Sequence, residues 1–165
     1  MVTLVDVGMP VFDGRRCLRE AITSILNQDY SDFTLIVSDN ASTDGSQEII
    51  AELAQQDSRM EAHFAGHDAG GAWTFNQVFR LSNAKYFKWA AADDTCEPSF
   101  LSTCIGALEA DRREAVLAHP ATALIDQHGD FIRVDRYHKS LRVNGPDAGP
   151  APPQGRRRRS PNGVP

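Results

Sequence analysis

Short apolar runs alternate with segments of helical periodicity along most of this chain. Val2–Val11 is apolar and rich in β-branched residues, and Pro10 lies near its end, so this segment predicts a buried strand that stops at a loop. The next segment, Arg16–Gln28, predicts an amphipathic helix, because its apolar residues recur at helical spacing: Leu18, Ala21, Ile22, Ile25 and Leu26. The chain therefore opens with a strand followed by a helix.

The same order repeats further along the chain. The run Phe33–Ser38 predicts a second strand, and the polar cluster Asp39–Ser46 after it supplies side chains that can cap a helix carrying Ile49, Ile50 and Leu53. The remaining predicted elements are a strand at Glu61–Phe64, a loop at Gly66–Gly71, a helix containing Phe75, Val78, Phe79 and Leu81, a strand at Tyr86–Ala91, a helix at Pro98–Asp111, and strands at Val116–Ile125 and Phe131–Val134 around a turn at Gln127–Asp130.

This alternation predicts an α/β fold, with a mostly parallel sheet and helices on both faces. In such sheets, ligands bind at the carboxyl ends of the strands. Three polar clusters follow predicted strands directly, at Pro10–Asp13, Asp39–Ser46 and Asp93-Asp94. We therefore expect the three clusters to converge at one edge of the sheet.

The last 22 residues, Asn144–Pro165, differ in composition from the rest of the chain. They contain six Pro, four Gly and four Arg, and Val164 is their only aliphatic residue larger than Ala. Such a segment buries no core and is expected to be disordered. We expect one domain at residues 1–135 and a tail at 136–165. The run Arg156–Arg159 is compatible with a nuclear-localisation or nucleic-acid patch, but the favoured interpretation is an uninformative tail, such as an out-of-frame or spurious C-terminus.

Length and charge exclude several classes of protein. A chain of 165 residues with 41% hydrophobic residues is typical of a single globular domain. Residues 1–132 hold 9 Lys and Arg against 20 Asp and Glu, whereas residues 133–165 hold 8 against 2. An acidic body disfavours nucleic-acid binding and favours a divalent cation. No apolar run is long enough for a membrane span, and no signal peptide is visible, so a cytoplasmic protein is expected.

The adjacent carboxylates Asp93 and Asp94 follow a hydrophobic strand. Carboxylates in this position suit a hard cation that neutralises a departing diphosphate. A structural alternative is that one of them only caps the helix that begins near Pro98.

Two further clusters favour recognition of a nucleoside. Asp39, at a strand terminus, is placed to accept a hydrogen bond from the imide N–H of a uracil or thymine ring. The segment Pro10–Gly14 offers the ring of Phe12 for base stacking and a loop able to lie close to a ligand. Asp44-Gly45 is interpreted as a turn and helix cap.

Taken in order, these segments resemble glycosyltransferase family 2 enzymes of the GT-A type. VGMPVFDG resembles the family's P-x-Y-N segment, and LIVSDNASTDGS resembles its uracil-side D-x-x-S-x-D-G-[ST] segment. GGAWTFNQVF resembles the segment with Gly and Asn that precedes the D-x-D strand, and YFKWAAADD resembles the D-x-D region itself. The resemblance covers roughly residues 2–132.

The resemblance implies a GT-A fold, a nucleoside-diphosphate-sugar donor, an Mg²⁺ or Mn²⁺ ion and transfer with inversion. By position in the motifs, the residues implied to bind the donor are Pro10, Phe12, Asp13, Asp39, Asn76, Asp93 and Asp94. Asp93 and Asp94 are also the implied metal ligands, with Asp94 preferred although Asp93 matches the last acid of D-x-D. The acceptor, whether glycan or another molecule, is not identified.

The chain departs from the family pattern at several positions. Phe12 stands where tyrosine is common, Asp13 where asparagine is common, and Ala91 replaces the first acid of D-x-D. An inverting transferase needs a general base, which the family places on a later helix. None of the acids available after the D-x-D region lies in a matching motif: Asp111, Glu114, Asp126 and Asp130. We therefore expect a chain truncated before its base.

Other candidate features favour ordinary structural roles. His63 and His67 have the spacing of a helical metal pair, but the segment is predicted as strand and loop, so they are expected to face solvent. Trp73 and Trp89 are expected to pack, with Trp73 also near the donor site. The three cysteines form no CxxC pair and are expected to be packing residues: Cys17, Cys96 and Cys104.

Two alternatives to an active transferase stay open. One is a truncated fragment that binds a nucleotide without catalysis. The other is an unrelated doubly wound module, of dinucleotide-binding or receiver type, which the absence of a GxGxxG segment disfavours.

Overall fold

The computed structural model describes residues 3–110, 115–126 and 129–135. The chain divides into two compact units, one that ends at Pro120 and one that begins at Ala121. The acids Asp111 and Glu114, much of the predicted turn at Gln127–Asp130 and the whole predicted tail from residue 136 lie outside the described residues. The expected boundary after residue 135 stays a prediction.

The first unit alternates strands and helices in the predicted order. The predicted bounds differ from the observed ones by a few residues at several ends, as at β4, where pairing stops at Trp89 rather than Ala91. The elements are β1 (Val5–Val11), α1 (Arg15–Leu26), β2 (Phe33–Asp39), α2 (Ser46–Gln56), β3 (Met60–Phe64), α3 (Gly71–Leu81), β4 (Tyr86–Trp89) and α4 (Phe100–Ala110).

The four strands of this unit form one parallel sheet in the order β3-β2-β1-β4. The chain adds β2 and β3 on one side of β1 and then returns to add β4 on the other side. The direction of strand addition thus reverses between β1 and β4. Such a reversal opens a crevice beyond the carboxyl ends of the two strands, where α/β proteins bind their ligands.

Helices cover both faces of the sheet, as the sequence predicts. Val5, Val7, Met9 and Val11 of β1 alternate toward one face, where they share a buried cluster with apolar residues of α1, α2 and α4, namely Leu18, Ala21, Ile22, Ile25, Ile50, Leu53, Leu101 and Ile105. Helix α3 packs closely at Gly8, on the other side of β1.

Close packing of α3 depends on the absence of a side chain at position 8. A Cβ atom added to Gly8 would lie 2.6 Å from Cζ of Phe87 and 2.9 Å from Cβ of Val78. The buried Val78 side chain occupies that space. Gly8 therefore sets how near α3 lies to the sheet.

The second unit contains an antiparallel hairpin of β5 (Thr122–Ile125) and β6 (Phe131–Asp135). The predicted strand at Val116–Ile125 was too long, because only its last four residues have a partner strand. Val116 and Leu117 are instead highly exposed.

Among the described residues, no helix is long and apolar enough to cross a bilayer. The cytoplasmic location expected from the sequence stays a prediction.

Candidate donor site at the strand-order reversal

A cleft of about 430 Å³ lies at the carboxyl ends of β1 and β4, where the strand order reverses. Its walls come from the β1–α1 loop, the start of α1, helix α3 and the loop after β4. This volume falls in the range of small-molecule sites, about 300–1,000 Å³.

The β1 side of the cleft contains three residues predicted from the sequence, Pro10, Phe12 and Asp13. Phe12 is 54% exposed, so its side chain is accessible to a ligand. Asp13 has a φ of 49°, a left-handed conformation that is uncommon outside glycine. Backbone conformations of this kind concentrate at ligand sites and persist where neighbouring contacts hold them.

The polar loop after β2 holds the β1–α1 loop in place. The N–H of Asp13 donates to Oγ of Ser42 at 2.8 Å, and the N–H of Thr43 donates to Oδ1 of Asp13 at 2.9 Å. The N–H of Gly14 donates to Oγ of Ser46 at 3.1 Å. Three hydrogen bonds between the two loops, two donated and one accepted by the β1–α1 loop, thus fix the loop that carries Phe12.

Asp44 bridges the starts of two helices. Its Oδ2 accepts the N–H of Arg15 at the start of α1, and its Oδ1 accepts the N–H and the hydroxyl of Ser46 at the start of α2. Hydrogen bonds from the Ser46 side chain, and then from the backbone N–H groups, hold the pKa of Asp44 below its ordinary value. The predicted turn and cap at Asp44-Gly45 is confirmed, and the capping extends to α1 as well as α2.

Asp39 ends β2 and is completely buried. Its Oδ2 accepts the N–H of Ser42 at 3.0 Å and the amide of Gln47 at 2.7 Å, whereas Oδ1 is buried without a hydrogen-bond partner among the described residues. Leaving a buried acceptor unpaired costs about 1–3 kcal/mol, so this oxygen is a buried acceptor that still lacks a donor. Asp39 pairs in register with Val11 of β1, although it is not among the residues that line the cleft.

The two adjacent acids after β4 occupy different positions. Asp93 lines the cleft, together with Ala91 and Ala92, whereas Asp94 is not among the lining residues. Both acids are exposed, and neither carboxylate makes a hydrogen bond or an ion pair with a described residue. The capping role considered for one of them receives no support from these contacts. The preference for Asp94 as metal ligand stays a prediction.

Three residues that the sequence did not select for the site also line the cleft: Arg16 and Cys17 of α1 and Phe75 of α3. The guanidinium group of Arg16 adds a positive charge to a cleft that also contains the carboxylates of Asp13 and Asp93. Phe75 looks like one more apolar residue in a helical pattern, yet it is 51% exposed. The sequence indicates Phe75 only indirectly, because it precedes Asn76, which the family resemblance implies to bind the donor.

Asn76 itself lies on the exposed surface of α3, where its amide donates to the carbonyl of Ala72 at 2.9 Å. It is not among the residues that line the cleft. Its expected role in binding the donor stays a prediction.

The two histidines and the two tryptophans considered in the sequence are all at least partly exposed to solvent. His63 lies on β3 and His67 in the following loop, as predicted, and both side chains reach solvent. Trp89 packs against Phe79 and Phe87 but remains 48% exposed, and Trp73 is 37% exposed.

The cysteines are free and partly buried. Burial raises the pKa of the Cys96 and Cys104 thiols above the ordinary value. This agrees with packing roles for these two, whereas Cys17 borders the cleft.

Comparison with known proteins gives a consistent result. A family model described as glycosyl transferase family 2 matches residues 6–146. An uncharacterized glycosyltransferase of Haemophilus influenzae is 28% identical over 138 residues, which are 84% of this chain and 54% of that protein. The chain spans between 18% and 54% of the length of the first curated relatives that it matches.

Solved structures share the fold. S. aureus TarS 1-349 in complex with UDP-GlcNAc matches with a TM-score of 0.62 at 16% identity, over 76% of this chain and 40% of that one. The mannosyltransferase PcManGT from Pyrobaculum calidifontis, in complex with GDP-Man and Mn²⁺, matches with a TM-score of 0.59 at 21% identity, over 66% and 33% respectively.

Proposed function

The chain belongs to glycosyl transferase family 2 and has the GT-A fold, and from this we propose that its cleft binds the nucleoside diphosphate of a sugar donor. The proposed reaction is transfer of the sugar to an acceptor with inversion at the anomeric carbon. The observation that carries this proposal is the cleft at the strand-order reversal, which combines an exposed aromatic ring, a cation and a carboxylate in one place.

Each part of the cleft suits one part of such a donor. The exposed ring of Phe12 offers a stacking surface to the base, and Pro10 and Asp13 form the adjoining wall. Arg16 and the start of α1 offer positive charge to the diphosphate. Asp39 is buried and does not line the cleft, but its unpaired Oδ1 is an acceptor for an imide N–H, the donor group that distinguishes uracil and thymine from cytosine. Its use by a base requires that the side chain become accessible when the donor binds. Complexes with UDP-GlcNAc and with GDP-Man in proteins of the same fold support a nucleotide sugar.

The donor groups of the site fit an Mg²⁺ or Mn²⁺ ion. Among the described residues there is no cluster of three or more His, Cys, Asp or Glu that would form a complete protein cage. These ions instead bind through one or two carboxylates together with substrate phosphates. The exposed carboxylates of Asp93 and Asp94 are available for this, and Asp93 has the better position because it lines the cleft. When bound, the ion would neutralise charge on the departing diphosphate.

A second candidate function is nucleotide binding without transfer. An inverting enzyme needs a carboxylate to deprotonate the acceptor hydroxyl. In the part of the chain that the structure describes, the cleft contains only two acids, Asp13 and Asp93. The first is bonded to the N–H of Thr43, and the second is proposed as metal ligand. We therefore assign no general base.

Calorimetry with UDP, with and without Mn²⁺, tests donor binding. We expect Mn²⁺ to tighten UDP binding, and we expect Asp93→Asn to remove most of that gain without weakening the metal-free binding, because the substitution removes a negative charge beside the diphosphate. Asp94→Asn is the matched variant, since it changes the neighbouring carboxylate by the same single group. A larger loss in Asp94→Asn would restore the preference drawn from the sequence.

The outcome that contradicts the proposal is equally direct. If UDP, GDP and dTDP all fail to bind in the presence of Mn²⁺, the cleft is not a nucleoside-diphosphate site. Release of free sugar from a UDP-sugar by the purified chain would exclude the binding-only alternative.

A further inference from the structure

Phe75 is one of three exposed aromatic residues of α3, together with Trp73 and Phe79. The helix buries Thr74 and Val78 against the sheet, and Phe75 points away from that face with 51% of its surface exposed. Exposure alone is common for a single apolar side chain. What distinguishes Phe75 is that it lines the same cleft as Phe12.

The turn of α3 that carries Phe75 is held from two sides. Close packing at Gly8 fixes the helix against β1. The indole N–H of Trp89, the last residue of β4, donates to the carbonyl of Phe75 at 3.2 Å. Trp89 also stacks on Phe79, with ring centroids 5.7 Å apart, and contacts the edge of Phe87. The end of β4 and the start of α3 are thus tied together beside the cleft.

The chemistry of the cleft separates into an apolar part and a charged part. Arg16 and Asp93 are suited to a diphosphate and its cation, whereas a phenylalanine ring offers phosphate neither a hydrogen bond nor a charge. The negative face of an aromatic ring in fact disfavours contact with an anion. A planar base, in contrast, stacks on such a ring irrespective of its edge groups. A planar base therefore matches Phe75, whereas the diphosphate does not.

We propose that Phe75 contacts the nucleobase of the donor through its ring and that Trp89 is a positioning residue, which fixes the turn that presents this ring. The proposal rests on the proposed nucleoside-diphosphate site and adds two residues to it. Because stacking on Phe75 tolerates any base, it contributes affinity, and selection between bases is left to edge contacts such as one with the unpaired, buried Oδ1 of Asp39.

The test compares three ligands that share parts of the donor: UDP, uridine and pyrophosphate, each in the presence of Mn²⁺. Phe75→Ala is expected to weaken UDP and uridine by about tenfold, the scale of one lost base–ring stack, and to leave pyrophosphate unchanged. Phe75→Tyr keeps the ring and is expected to bind all three as the wild type does. Phe131→Ala is the control, because Phe131 is an exposed phenylalanine on β6, with 64% of its surface exposed, and does not line the cleft.

The positioning role of Trp89 requires its own comparison. Trp89→Phe keeps a ring against Phe79 but removes the N–H that bonds to the Phe75 carbonyl. We expect a loss of about two- to fivefold for UDP and uridine and none for pyrophosphate. When Trp89→Phe is added to Phe75→Ala, the affinity for UDP and uridine should fall no further, because the ring that Trp89 positions is already absent.

The outcomes separate the two proposals. Equal losses for all three ligands in Phe75→Ala would overturn the base contact, because they would indicate damage to the whole site. Unchanged uridine binding in Phe75→Ala, with UDP still bound by the wild type, would also overturn it and leave the nucleotide site intact. Failure of the wild type to bind UDP would instead overturn the site itself.

Discussion

At the scale of single residues, the candidate donor site depends on side chains of one loop that satisfy the backbone of another. Ser42, Ser46 and Asp44 accept N–H groups from the segment Asp13–Arg15. These residues come from the polar cluster after β2, and the groups that they bind lie about thirty positions earlier, as the separations of 29 and 32 residues show. The cluster is therefore a support for the β1–α1 loop as well as a cap for its own helix.

The depressed pKa of Asp44 predicts an acid-sensitive contribution to stability. Because the folded state lowers this pKa, the ionised carboxylate stabilises the fold above the unfolded-state value of about 4, and the contribution disappears as the pH falls through the lower folded value. We expect the melting temperature of Asp44→Asn to be lower than that of the wild type at pH 7. This difference in melting temperature should shrink as the pH falls below about 4. Thermal denaturation followed by circular dichroism across this range measures it.

Glu20→Gln provides the control for this prediction. Glu20 is exposed on α1 and makes no hydrogen bond or ion pair with a described residue, so its neutralisation should leave the melting temperature unchanged across the same range. A pH-independent difference for Asp44→Asn would show that the carboxylate charge does not contribute to the cap.

At the scale of elements, the position of α3 connects the core to the site. The helix buries Val78 above Gly8 and places Phe75 at the cleft one turn earlier. A glycine inside a strand normally weakens it, since it packs no side chain. In β1 the missing side chain is what allows α3 to approach.

Gly8→Ala is expected to lower the free energy of unfolding by about 1–3 kcal/mol, the usual cost of overpacking a core. The added methyl group would lie 2.6 Å from Phe87 and 2.9 Å from Val78, so α3 or its side chains must move. Urea denaturation measures the change. Gly66→Ala is the matched control, because a Cβ atom at Gly66 meets no atom within 4 Å. Equal stability of the two variants would show that α3 does not depend on Gly8 for its position.

At the scale of the whole molecule, the strand order decides where a ligand binds. The order β3-β2-β1-β4 brings residues 10–17 and 91–93 to one cleft, although about 75 positions separate them along the chain. The reactivity of Cys17 can report on ligand binding in the cleft, because Cys17 borders the cleft and Cys96 and Cys104 do not.

Nucleotide bound in this cleft should protect Cys17 from alkylation. We expect UDP with Mn²⁺ to slow the reaction of Cys17 with iodoacetamide several-fold and to leave Cys104 unaffected, as followed by peptide mass spectrometry. Burial raises the pKa of the Cys104 thiol, so less reactive thiolate is present there and its slow rate serves as an internal reference. Protection of neither thiol under saturating UDP would place the nucleotide elsewhere on the molecule.

The sequence by itself determined the order and type of the elements in the first unit, and it identified the family. Both are local properties: hydrophobic periodicity selects strand or helix residue by residue, and motifs such as SDNASTDGS are contiguous. The same reasoning expects polar residues after neighbouring parallel strands to share an edge of the sheet, and Pro10, Phe12, Asp13 and Asp93 line one cleft.

Only the tertiary structure decided which side chains reach the cleft. Asp93 lines it and Asp94 does not, and Phe75 lines it whereas Asn76 does not, although each pair is adjacent in the chain. Neighbouring residues in a turn or a helix point in different directions, so a one-position difference changes the surface that a side chain meets. Which of two neighbours faces the ligand depends on how closely α3 and the β4–α4 loop pack against β1, and that is set by contacts distant in sequence such as those at Gly8.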